Sequence, residues 1–303
     1  MEQKNILITN DDGIDSSGLR QLAEAAGRFG RVWVVAPDGE RSAMSHCYTW
    51  KKSVRVWERD FPVEGVTAWA TDGTPADCVR LGVLKLLPVK PDYVLAGINS
   101  GYNISHDIQY SATVGAALEA SMWGVHAIAF SRGERSGQDM VDRYLSELME
   151  EYMKSPLEQG QVWNINFPNC GLADCKGIRR NCRVSRDPFY VDHYEAEGIA
   201  PAGGAEAADA SGISTAGSDE NPAGGAEAAD ASGISTAGSD EDPAGGAETA
   251  DASGISTAGS DEDPVGGTAY RLVIGRNWKG SEGTDLAAVI DHYISVGTVT
   301  NVG

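Results

Sequence analysis

Short apolar runs alternate with amphipathic stretches along the first two-thirds of the chain. Runs rich in β-branched and aliphatic residues predict five strands, at 5–9, 31–36, 93–96, 127–130 and 162–166. Between them, apolar residues recur every three or four positions and predict helices at 17–28, 74–87, 113–123 and 140–153. This βαβ succession predicts an α/β fold, a Rossmann-like, doubly wound and mostly parallel sheet with helices on both faces.

Three near-identical units of 21 residues interrupt this pattern at 201–263. They contain 14 of the 44 acidic residues, no Lys or Arg, and Ile213, Ile234 and Ile255 as their large aliphatic residues. The rest of the chain therefore has 30 acidic and 24 basic residues, a net charge of −6 against −20 for the whole. Such a segment buries too little apolar surface to offset its chain entropy. We expect a disordered acidic linker at 198–263, between a core at 1–197 and C-terminal strands at 264–303.

The remaining composition argues against several classes of protein. No apolar run approaches the roughly 20 residues of a membrane helix, and the first residues lack the pattern of a secretory signal. No basic stripe points to a nucleic-acid polymer as partner. A reducing compartment suits an odd, scattered set of cysteines, here Cys47, Cys78, Cys170, Cys175 and Cys182. We therefore expect a cytoplasmic protein without a membrane or nucleic-acid partner.

Polar side chains follow the ends of three predicted strands. Asp11 and Asp12 come directly after the first strand, Ser42 follows the second, and Asn99 follows the strand at 93–96. The carboxyl ends of parallel strands meet at one crevice, so these groups can converge there. Two adjacent carboxylates are costly to keep ionised without a cation, and such oxygen ligands suit Mg²⁺ or Mn²⁺. We predict a divalent-metal site; a plain turn is the alternative, because Asn, Asp and Gly all favour turns.

A possible anion site lies at the start of the helix predicted at 113–123. Ser111 and Thr113 stand where the backbone N–H groups of a first helical turn are free to bind phosphate. The alternative for Ser111 is a plain helix N-cap, a role compatible with the first. A metal beside an anion cradle points to chemistry on a phosphate ester.

Five motifs in order resemble the SurE family. They are Ile-Leu-Ile-Thr-Asn-Asp-Asp-Gly-Ile at 6–14, Val-Val-Ala-Pro-Asp with a following Arg-Ser at 34–42, Gly-Thr-Pro-Ala-Asp-Cys-Val at 73–79, Ala-Gly-Ile-Asn-Ser-Gly-Tyr-Asn at 96–103, and Tyr-Ser-Ala-Thr-Val-Gly-Ala-Ala-Leu-Glu at 110–119. The resemblance covers about 5–190 and resumes near 283–296.

The resemblance implies a Rossmann-like fold and a metal-dependent nucleotidase. Nucleoside 5′- and 3′-monophosphates would be its substrates, and homodimers or homotetramers its assembly. One Mn²⁺ or Mg²⁺ per subunit would be bound by Asp11, Asp12, Ser42 and Asn99. The phosphate side would be lined by Asn10, Asn103, Ser111 and Thr113. As a mechanism, we expect metal-activated water, with Asp11 or Asp12 accepting its proton.

The chain also departs from the family pattern. Ala43 and Ala112 replace glycines beside proposed site residues, and the repeats stand where the family keeps a compact segment. The competing hypothesis is therefore a catalytically impaired SurE-like scaffold or binding protein with an acidic interaction linker. Metal-dependent turnover of a nucleotide would distinguish the enzyme from the scaffold.

Overall fold

The computed structural model describes residues 3–196 and 270–300. Within these ranges the strands are β1 Lys4–Thr9, β2 Gly30–Pro37, β3 Val56–Arg59, β4 Thr67–Thr71, β5 Tyr93–Ser100, β6 His126–Arg132, β7 Gln161–Phe167, β8 Ile178–Arg179, β9 Tyr190–Ala196, β10 Tyr270–Arg276 and β11 Ile294–Thr300. The α-helices are α1 Ser17–Ala26, α2 Pro75–Leu81, α3 Ala112–Met122, α4 Gln138–Lys154 and α5 Asp285–Ile290. The linker predicted at 198–263, and both boundaries drawn around it, lie outside the described residues.

Nine of the strands form one sheet in the order β3-β4-β2-β1-β5-β6-β7-β11-β8. The six strands from β4 to β7 in this order are parallel, whereas β3 and β11 pair antiparallel with β4 and β7. β9 and β10 pair separately. The prediction of a mostly parallel α/β sheet is confirmed.

Strand β1 shows why the sheet is covered on both faces. Ile6 and Ile8 point into one apolar layer, whereas Leu7 points into the other, and none of the three is exposed. Helices α1 and α4 pack in the first layer, and α2 and α3 in the second. Each fully buried aliphatic side chain contributes about 1.5–3 kcal/mol, so both layers stabilise the position of the β1 end.

The predicted elements are present, with shifted ends and some additions. The α-helix predicted over 74–87 ends at Leu81 and continues as a π-helical turn over Gly82–Leu86. Glycine is a weak helix former, and Gly82 stands at this change. Helix α5 was not predicted because six residues are too few for a periodic pattern. None of the helices within 3–196 and 270–300 has both the length and the apolar character needed to cross a membrane.

Candidate functional site

The carboxyl ends of β1, β2 and β5 converge on the pair Asp11 and Asp12. β1 lies between β2 and β5 in the sheet. The backbone N–H of Arg41, after β2, donates to the carbonyl of Asp11 at 2.7 Å. At the end of β5, the N–H of Ser100 donates to Oδ2 of Asp12 at 3.2 Å. Three strand ends therefore meet at this edge, which is where parallel sheets bind ligands.

Asp11 is the buried member of the pair. The residue is only 5% exposed to solvent. Its Oδ1 accepts a hydrogen bond from the Thr113 hydroxyl at 2.5 Å. Burial raises the pKa of Asp11 to about 6, against the opposing effect of the Thr113 bond; the charge of Asp12 raises it further. This carboxylate is thus costly to ionise without a nearby cation.

Asp12 is half-buried and opens more to solvent. Burial is the main cause that raises its pKa, and the negative charge of Glu40 acts in the same direction. The Ser100 N–H and the positive charge of Arg132 lower it. Two neighbouring acids whose pKa values are raised mainly by burial are typical of a functional site.

The predicted metal ligands Ser42 and Asn99 lie on the two flanking strand ends. Ser42 is exposed, and its hydroxyl donates to Oε1 of Glu40 at 2.7 Å. The amide nitrogen of Asn99 donates to the carbonyl of Gly101 at 3.1 Å, so the amide oxygen is the atom suited to a cation. Ser42 thus belongs to the loop that contacts Asp11, while its hydroxyl is engaged with Glu40.

The loop that carries Ser42 lies against helix α3. The Ser45 N–H and hydroxyl donate to the carbonyls of Tyr110 and Gln109, at 3.0 and 2.6 Å. A Cβ on Gly115 would lie 2.4 Å from the carbonyl oxygen of Ser45, a distance real Cβ atoms do not adopt. The absence of a side chain at Gly115 therefore allows this loop to approach the helix.

The predicted phosphate-side residues are held by other protein groups. Asn10 donates to the Gly13 carbonyl and the Ser16 hydroxyl, and its buried Oδ1 accepts no hydrogen bond from the residues that the structure describes. Asn103 is buried and donates through Nδ2 to the Ser131 hydroxyl at 2.7 Å. The hydroxyl of Ser111 accepts from the N–H of Val114 and is the N-cap of α3. The structure therefore places Thr113 against Asp11 and the neighbour of Asn99, Ser100, against Asp12, with Ser42 on the adjoining loop.

Comparison with known proteins decides the family. The family model described as Survival protein SurE matches residues 6–189. The chain belongs to the SurE family. A protein of Desulfatibacillum aliphaticivorans named 5′-nucleotidase SurE is 42% identical over 203 residues, which cover 63% of this chain and 79% of that protein. One of Synechococcus sp. (strain JA-3-3Ab) with the same name is 44% identical over 197 residues, covering 63% and 75%.

A solved structure agrees with this assignment. The crystal structure of the SurE protein from Aquifex aeolicus superposes with a TM-score of 0.65 at 26% sequence identity, covering 97% of this chain and 92% of that one. The resemblance predicted from the five motifs is confirmed.

Ala43, where the SurE pattern has glycine, adopts a backbone conformation that glycine favours. Its φ is +55°, in the left-handed region, which costs an alanine about 1 kcal/mol. Ala112 is the first residue of α3 and is buried. The departure at Ala43 thus places local strain one residue after Ser42.

The donor set of this SurE-family site fits a hard divalent cation. Two carboxylates, a hydroxyl and an amide oxygen are oxygen ligands of the kind that Mg²⁺ and Mn²⁺ prefer. Within the described ranges, no group of three or more His, Cys, Asp or Glu side chains is arranged to bind a metal. A cation at this edge would therefore depend on Asp11 and Asp12, with Ser42, Asn99 and water completing its coordination.

Sequence reasoning missed two charged residues at the site. Glu40 accepts a hydrogen bond from Ser42. Burial is the main cause of the raised pKa values of Asp11 and Asp12, and the negative charge of Glu40 raises both further. Arg132 is the last residue of β6, and its charge acts on Asp12. The signal that could have found Arg132 is its place two residues after the apolar run at 127–130, at the carboxyl end of a predicted strand.

Proposed function

We propose that this protein is a nucleotidase that hydrolyses nucleoside 5′-monophosphates, and also 3′-monophosphates, with one Mn²⁺ or Mg²⁺ per subunit. The observation that carries the proposal is the pair Asp11 and Asp12, two carboxylates with raised pKa values beside the N-terminus of α3. The relatives named 5′-nucleotidase SurE support the same activity.

The cation would be held by Asp11, Asp12, Ser42 and Asn99. Such an ion supplies positive charge to the phosphoryl oxygens and lowers the pKa of bound water. The protein's contribution is to hold the ligands in place, and the Thr113 hydroxyl does so for Asp11 at 2.5 Å.

The phosphate group would be bound at the start of α3. The first N–H groups of a helix have no intrahelical partner and attract anions. Ser111 uses its hydroxyl to cap Val114, which leaves the N–H groups of Ala112 and Thr113 for phosphate. The guanidinium of Arg132, at the end of β6, adds positive charge at the same edge.

The two aspartates differ in their access to water. Asp11 is almost fully buried, whereas Asp12 is half-buried and has one oxygen bonded to the Ser100 N–H. We assign proton acceptance to Asp12: water attacks phosphorus, its proton passes to this carboxylate, and the ester P–O bond breaks. The leaving nucleoside oxygen takes up the proton that Asp12 accepted, which yields nucleoside and phosphate and regenerates the carboxylate.

The test is phosphate release from a panel of nucleoside 5′- and 3′-monophosphates, in Mn²⁺, in Mg²⁺ and in EDTA. We expect turnover of both classes with either metal, its loss in EDTA, and its recovery when metal is restored. A folded, metal-supplied protein that releases phosphate from none of the panel would favour the scaffold hypothesis. The expected homodimer or homotetramer stays a prediction, which light scattering measures.

A further inference from the structure

A row of polar side chains crosses the sheet from one of the predicted metal ligands. Asn99 of β5 is in register with Ser131 of β6, and Ser131 is in register with Asn166 of β7. Neighbouring strands lie about 4.8 Å apart, and residues in register point to the same face of a sheet. This polar row of Asn99, Ser131 and Asn166 therefore connects the metal site with two further strand ends.

The polar row lies on the face of the sheet that α3 covers. Ala129 of β6 and Val162 of β7 belong to the apolar layer that contains α3. Side chains alternate between the two faces of a strand, so Ser131, two residues after Ala129, lies on the same face. Asn166 lies there too, because it stands four residues after Val162. The polar row and the proposed phosphate-binding end of α3 are therefore on one side of the sheet.

Asn103 contacts two members of the polar row. Its Nδ2 donates to the Ser131 hydroxyl at 2.7 Å. Its backbone N–H donates to Oδ1 of Asn166 at 2.8 Å, and its carbonyl accepts from Nδ2 of Asn166 at 3.0 Å. Nδ2 of Asn164 donates to the same carbonyl at 2.8 Å. The amide of Asn166 thus binds both backbone groups of Asn103, while Ser131 binds its side chain.

These contacts are closed off from water. Neither Ser131 nor Asn166 is exposed, and Asn103 is buried. A buried backbone N–H or carbonyl without a partner is costly, so the position of Asn103 follows that of Asn166. Among the residues at 3–196 and 270–300, Asn103 is the hydrogen-bond partner of the Ser131 hydroxyl, and no second one is found. Both contacts therefore act on Asn103.

We propose that Ser131 and Asn166 are positioning residues for the hydrolysis, which hold the amide of Asn103 next to Asn99 for contact with the phosphate group. The Nδ2 group carries two hydrogens, of which Ser131 binds one and a phosphoryl oxygen the other. The proposal rests on the proposed nucleotidase function and adds the residues that fix one of its phosphate contacts.

A double-mutant cycle tests whether Ser131 acts through Asn103. Phosphate release from adenosine 5′-monophosphate in Mn²⁺ is measured for wild type, Ser131→Ala, Asn103→Ala and the double variant, each with a cooperative melt. Loss of one hydrogen bond should lower kcat/KM about fivefold in Ser131→Ala, and loss of a bond to charged phosphate about tenfold or more in Asn103→Ala. The double variant should be as active as Asn103→Ala alone.

Two further variants extend the cycle. Asn166→Ser has too short a side chain to bind both backbone groups, so it should lower kcat/KM in the wild type and change little in Asn103→Ala. Ser136→Ala is the matched control, because its hydroxyl donates to the Pro168 carbonyl at 2.6 Å, and it should leave kcat/KM unchanged. Effects of Ser131→Ala and Asn103→Ala that multiply, or an Asn103→Ala variant as active as the wild type, would overturn the proposal and leave the nucleotidase standing.

Binding of inorganic phosphate tests the positioning role if the wild type hydrolyses no nucleotide. That result would refute the nucleotidase, and calorimetry in Mg²⁺ would then measure phosphate binding to the same four proteins. Weaker binding by Ser131→Ala, with no further loss in the double variant relative to Asn103→Ala, would support the positioning role. Phosphate binding that is absent, indifferent to Ser131, or weakened independently by the two changes would overturn it.

Discussion

Thr113 donates a hydrogen bond of 2.5 Å to Oδ1 of Asp11, across 102 residues of sequence. The bond joins the start of α3 to the end of β1, so the helix end that we propose binds phosphate and the carboxylate pair are fixed relative to each other. It also lowers the pKa of Asp11 against the larger effect of burial. Thr113 thus helps to keep a buried carboxylate in the charged form that a cation requires.

Replacing Thr113 by valine should weaken metal binding. The methyl group has the same size as the hydroxyl but cannot donate to Asp11. A hydrogen bond to a charged group contributes about 1.5–3 kcal/mol, so we expect Mn²⁺ affinity to fall about tenfold or more in calorimetry. Thr113→Ser, which retains a hydroxyl, is the matched control. If Thr113→Val bound Mn²⁺ as the wild type does but had a higher KM for nucleotide, a direct phosphate contact would be the better account.

The metal-free protein should lose stability as pH rises through the range between the two pKa values of Asp11. The unfolded chain releases this proton near the ordinary value of 3.8, whereas the folded chain keeps it up to about 6. The folded state therefore binds more protons between them, and the free energy of unfolding decreases with pH. A shift of about two pKa units corresponds to roughly 3 kcal/mol above this range.

Asp11→Asn has no carboxylate to ionise and so avoids this loss of stability, which thermal melts in EDTA can detect. We expect the variant to melt above the wild type at about pH 7.5, and the two to converge as pH falls below 3.8, the ordinary pKa of Asp. Addition of Mn²⁺ should stabilise the wild type alone. A variant less stable than the wild type at neutral pH in EDTA would show that the charge of Asp11 does not destabilise the metal-free protein.

Gly115→Ala should impair the site without unfolding the protein. The new methyl group would meet the Ser45 carbonyl at 2.4 Å and displace the loop that carries Ser42. We expect a higher Mn²⁺ concentration for half-maximal phosphate release, with a cooperative melt retained. Gly171→Ala is the control, because a Cβ there has no neighbour within 4 Å. Equal metal dependence in both variants would exclude a role for the loop position.

Glu119 should stabilise the same loop from its other side. Its buried carboxylate accepts from His46 at 2.8 Å, Arg80 at 2.9 Å and the Trp123 indole at 2.7 Å. Burial acts to raise its pKa, but these bonds and charges lower it overall. Because its folded pKa lies below the ordinary 4.5, its stabilisation is present above that value and is lost as pH falls through the folded pKa.

Glu119→Gln should therefore reduce the free energy of unfolding in urea by about 2 kcal/mol at neutral pH, and by less in acid. The control is Glu147→Gln, which removes an exposed partner of Arg143 and should cost less than about 0.5 kcal/mol. Similar losses in the two variants would argue against a special role for Glu119.

Local patterns predicted the central part of the fold because each element there carries its own signal. The strand at β1 and the helix at α1 follow from short-range periodicity, and the carboxylates follow from the end of β1. The position of β11, antiparallel to β7 and parallel to β8, depends on pairing across more than a hundred residues, which no local pattern reports. The bond between Ser42 and Glu40 likewise depends on side-chain geometry within a loop.

Manganese-dependent phosphate release from adenosine 5′-monophosphate, measured for the wild type and for Asp11→Asn, tests the central claim most directly. Both proteins must first show a cooperative melt. We predict that wild-type turnover requires Mn²⁺ and stops in EDTA, and that Asp11→Asn loses about a hundredfold or more at the same metal concentration. Turnover that is indifferent to EDTA, or an Asp11→Asn variant as active as the wild type, would contradict a metal-dependent nucleotidase site at the end of β1.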